Sequence, residues 1–66
     1  MVWVFARDGR QLRCEVARTD EPASYHLILT QPDRTRTTEE IADPAALVER
    51  IAVVTADLRA DGWQLA

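Results

Sequence analysis

The side chains in this sequence that can do chemistry are few, and their spacing does not bring them together. His26 and Cys14 are the only imidazole and the only thiol, whereas a metal site needs three or four ligands at set intervals. A thiol beside an imidazole is the minimal pair for nucleophilic catalysis. Cys14, however, falls in phase with Leu12 and Val16 in the alternating segment RQLRCEVAR and reads as a small buried hydrophobe. His26 is out of phase with Leu27 and Leu29 in SYHLILTQ and reads as a solvated or interface side chain. Ser24, the only serine, shares that strand with His26, so a serine triad is not available. The two glycines, Gly9 and Gly62, are taken by a turn and a helix cap, leaving none for a phosphate loop. Glu39, Glu40 and Asp43 gather where a helix begins, and stabilising its positive end accounts for them. No catalytic, cofactor-binding or metal-binding residue is expected.

The elements that place these residues follow from periodicity and caps. Asp43 to Gly62, DPAALVERIAVVTADLRADG, is a helix with both ends marked. Asp43 can accept a hydrogen bond from a first-turn amide, and Pro44 tolerates the first helical position because no N–H is needed there. Gly62 suits a left-handed cap, after which Trp63 folds back on Leu58 as a clasp. Leu47, Ile51, Val54 and Leu58 follow 4, 3, 4 spacing and form the core-facing stripe. The opposite side carries Ala45, Ala52, Ala56 and Ala60, interrupted by Glu49 and Arg59, and is either a solvated face or a second packing surface. Asp57 and Asp61, like charges one turn apart near the C-terminus, call for a neighbouring cation.

Upstream, VWVFAR leads into Asp8-Gly9, a strong hairpin signal, and RQLRCEVAR forms the second strand. A third strand covers residues 24–31 and a thin polar fourth one residues 35–41, joined by the Pro32-Asp33 turn, in which Arg34 stands where glycine would be more comfortable. Two hairpin registers are open. A two-residue loop at Asp8-Gly9 puts Trp3 and Phe5 inside with Leu12 and Cys14. A three-residue loop with a glycine bulge puts Val2, Val4 and Ala6 inside and leaves the aromatics beside Gln11 and Arg13. The two-residue loop buries more aromatic area and is preferred.

The expected fold is therefore α+β: a four-stranded antiparallel β-meander with one C-terminal α-helix on one face, β-β-β-β-α in two layers, in one small domain covering residues 1–66. That element order resembles, at fold level only, single-strand-binding transcriptional coactivator domains that dimerise through their helices. No motif of that family is matched, so no residue roles are carried over. With 47% hydrophobic residues the chain can fold, but one this short buries only about 60% of its unfolded surface and needs some supplement to its core. Disulfides are excluded by the single cysteine, which also fits a reducing, cytoplasmic setting. No signal peptide or membrane-spanning stretch is expected.

Strand 1 is apolar on both sides and would be a sheet edge in a meander, an arrangement that either invites a partner or is covered within the chain by the C-terminal Trp63-Gln64-Leu65 or a crossover. The expected function is thus a non-enzymatic protein–protein interaction module, a homodimer, regulatory or inhibitory in kind. Its candidate interface is strand 1, with Val2 and Val4, or the alanine face of the helix, with Ala52, Ala56 and Ala60. The alternative is a single-stranded nucleic-acid binder with Trp3, Phe5 and Arg13 on the open sheet face. A net charge of −3 argues against general nucleic-acid affinity, although six arginines lie in residues 1–36 against two in the remainder.

Overall fold

The computed structural model describes all 66 residues, Met1–Ala66. Strands β1 (Val2–Arg7), β2 (Arg10–Asp20), β3 (Ala23–Thr30) and β4 (Arg36–Ile41) precede helix α1 (Pro44–Ala60) and a short strand β5 (Gln64–Leu65). The sheet is antiparallel throughout, in the order β4-β3-β2-β1-β5, and the helix packs on one face. The α+β class is as expected and the four-stranded antiparallel sheet is roughly met, with the two-residue β5 added beyond β1, so that β1 is flanked on both sides. The cause is local. Gly62, at φ 90°, turns the chain back from the helix, and Gln64 and Leu65 then pair with Ala6 and Phe5.

The β1–β2 connection is the two-residue loop. Asp8 and Gly9 both have positive φ, 52° and 75°, as a type I′ turn requires, and Arg7 pairs with Arg10. That register sets every side chain of β1. Phe5 lies opposite Leu12 and Trp3 opposite Cys14 on the helix-covered face, while Val2 and Val4 lie on the open face with Arg13, Glu15, His26 and Ile28. Phe5, Leu12, Cys14 and Trp63 form the core cluster, with Trp3, Leu29 and Leu58 packed against it. Burial of Phe5 and Leu12 is worth about 1.5–3 kcal/mol each. The core is thin: seven of the 66 residues are buried, and Met1, Val2, Val48, Val53 and Leu65 are exposed.

Helix α1 is fixed at both ends and along one side. The Asp43 carboxylate accepts from the Ala45 amide at 3.2 Å, and Pro44 occupies the first turn. At the far end the Trp63 amide donates to the Leu58 carbonyl at 2.9 Å and the Gly62 amide to the Arg59 carbonyl at 3.0 Å, the paired bonds of a Schellman cap. Trp63 is buried and closes the core as the clasp expected of it. Alongside β4, Arg50 pairs with Glu39 at 2.9 Å. No helix is long and apolar enough to cross a membrane.

Candidate interaction surface

The sites weighed for chemistry come apart in three dimensions. Cys14 is buried under the helix, and His26 stands on the open face 3.4 Å from Glu40, so the sheet separates thiol from imidazole. Glu39 pairs with Arg50, Asp43 caps the helix and Glu40 lies beside His26, so each of the three clustered carboxylates has a partner within the chain. Asp61 finds the cation its position calls for: Arg7 donates to its carboxylate at 2.8 Å and to its carbonyl at 2.7 Å, with the guanidinium stacked 4.7 Å from the Trp63 ring centre.

The three aromatic and basic residues of the nucleic-acid surface do not share one face. Trp3 and Phe5 lie on the helix side, Phe5 with 1% of its surface exposed, whereas Arg13 points from the other side of the sheet. The two alternative candidate interfaces lie on different surfaces. Val2 and Val4 lie on the open face, and Ala52, Ala56 and Ala60 are exposed on the outer side of the helix. The sheet and helix layers stand between the two groups, so no single flat contact includes both.

A different apolar surface emerges at the flank where α1 meets β1 and β5. Met1, Trp3, Ile51 and Leu65 line an open groove of about 310 Å³ with no polar residue among them. Met1 and Leu65 are exposed, at 73% and 59%. At about 100° per residue, Val48 lies about 60° beyond Ile51 on the same side of the helix, away from Arg50 and β4. It is 67% exposed. Next to this groove, Arg59, Gly62, Trp63, Gln64 and Leu65 line a hollow of about 400 Å³, and Leu65 belongs to both. Neither Arg59 nor Glu49 takes part in any of the five ion pairs of the chain.

No family model, curated protein or solved structure matches this chain. Its function must be argued from its own surfaces. The flank could be foreseen only in part. Val48 is an apolar residue off the core stripe, which is a visible signal, but Met1, Trp3, Ile51 and Leu65 meet only because β5 returns along β1.

A second surface concerns charge. Arg13 and Arg36 flank Thr30 across neighbouring strands on the open face. Arg34 is held in the adjoining turn at φ 71°. The Thr35 side chain, then the Thr35 amide, which donates to Asp33 at 2.9 Å, and to a smaller extent nearby Arg10 hold the Asp33 carboxyl below the usual range. Arg10, Arg34 and Arg36 have no ion-pair partner in the chain.

Proposed function

We propose that this chain is a non-enzymatic protein–protein interaction module, regulatory or inhibitory in kind, that forms a homodimer through the α1–β1–β5 flank. The observation that carries the proposal is the gathering of Met1, Trp3, Ile51 and Leu65 around one groove, with exposed Val48 on the same side of the helix by its periodicity, in a molecule with seven buried residues. Exposed apolar side chains scattered singly need no explanation, whereas a contiguous group of large ones marks a contact surface. Covering it with a second copy would supply the apolar burial that so short a chain cannot supply alone. Free Cys14 suits a cytoplasmic setting, which is part of the same reading.

The test is sedimentation velocity on the native sequence and on Val48→Lys, at about 50 µM, well above the dissociation constant of an interface worth about 8 kcal/mol. Val48 is 67% exposed, so the substitution should leave the far-UV circular dichroism unchanged. A native dimer and a monomeric variant are expected. A native chain that sediments as a monomer rejects the proposal.

A second reading, binding of single-stranded nucleic acid, draws on Arg13 and Arg36 at one end of the open face, with Arg34 in the adjoining turn, rather than on aromatic stacking. It requires anisotropy of a labelled oligonucleotide to rise at low salt and to fall as salt is added. No rise at low salt removes it.

A further inference from the structure

We infer that the two helices of the dimer lie antiparallel, with Glu49 of each copy ion-paired to Arg59 of the other. The inference rests on the self-association proposed above and goes further by fixing the orientation. In a two-fold contact, whatever residue i meets, its symmetry mate meets in return. The outer helix surface beside the apolar groove, from Ile51 round to Glu49, contains only two charges, Glu49 near the start and Arg59 near the end. They are about 15 Å apart along the axis, at equal distances from the level of Val54. A two-fold axis at that level sets Glu49 of each copy at the height of Arg59 of the other when the helices run antiparallel, about 80° apart around the helix and within reach of two long side chains. A parallel pair would set Glu49 against Glu49 and Arg59 against Arg59, which is repulsive twice.

Three further features of the flank fit the antiparallel pair. Ala52 and Ala56, both exposed, fall at the crossing, where small side chains let two helices approach to about 8 Å. Val48 of each copy arrives at the level of Ala60 of the other, beside the hollow lined by Arg59, Gly62, Trp63, Gln64 and Leu65, which gives the most exposed apolar side chain of the helix a place to insert. The remaining helix cation, Arg50, is engaged with Glu39 on the opposite flank, and the C-terminal Asp61 with Arg7, so Glu49 and Arg59 are left for the partner.

Charge reversal tests this directly. Glu49→Arg and Arg59→Glu each create two like-charge contacts per dimer, and the double variant restores two opposite ones. By sedimentation equilibrium, each single reversal is expected to raise the dissociation constant about tenfold or more, and the double variant to return within about threefold of the native value. Both side chains are exposed, so all three variants should keep the native circular dichroism. A dimer that ignores both single reversals, or a double variant as weak as the singles, overturns the antiparallel pairing while leaving self-association standing. A monomeric native chain overturns both.

Discussion

Cys14 shows how burial converts a reactive residue type into an inert one. It has no exposed surface, and desolvation pushes its thiol up from an ordinary 9.0 to about 11. The fold therefore keeps a proton that the unfolded chain gives up first. The associated stabilisation is complete below about pH 9 and is lost as the pH rises towards 11. A thiol-specific chromogenic reagent at about pH 8 should find no reactive thiol in the native protein and one per chain after denaturation. Rapid labelling without denaturant would contradict the burial. Replacing it by serine sets a hydroxyl among Phe5, Leu12 and Trp63, and should cost about 1–3 kcal/mol in urea denaturation.

Among the elements, the helix C-terminus is the joint on which the fold turns. Leu58, Gly62 and Trp63 close the cap, Trp63 fills the core, and the two residues after it extend the sheet beyond β1. Arg7 binds this joint from the strand side by stacking on Trp63 and by pairing with Asp61. Its cation–π contact is worth about 0.5–1 kcal/mol and its part-exposed ion pair up to about 1 kcal/mol. Arg7→Ala is expected to lower stability by about 1 kcal/mol and to shift Trp emission to the red as water reaches Trp63. Unchanged emission together with unchanged stability would mean that the cap and the core hold Trp63 without Arg7.

At the scale of the whole molecule, the layers are unequally finished. The sheet measures its length against a helix that covers only part of it, within overall extents of 39 × 22 × 16 Å, and the groove between helix and β5 stays open. If a second copy closes that groove, stability and association are one equilibrium, and the melting temperature depends on concentration. A hundredfold dilution should lower it by about 5–10 °C. A melting temperature independent of concentration would count against dimerisation at the flank.

The sequence by itself determined what depends on near neighbours. Asp43-Pro44 and Gly62-Trp63 mark the helix ends because capping groups act within one turn, and Asp8-Gly9 permits a type I′ loop because both residues accept positive φ. The opposite phases of Cys14 and His26 could be read because strand side chains alternate. Only the tertiary structure decided that Leu65 returns beside Phe5, that Met1 and Trp3 meet Ile51, and that Arg7 answers Asp61. Those pairs bring together opposite ends of the chain, and no local period or cap records a contact made through a shared core.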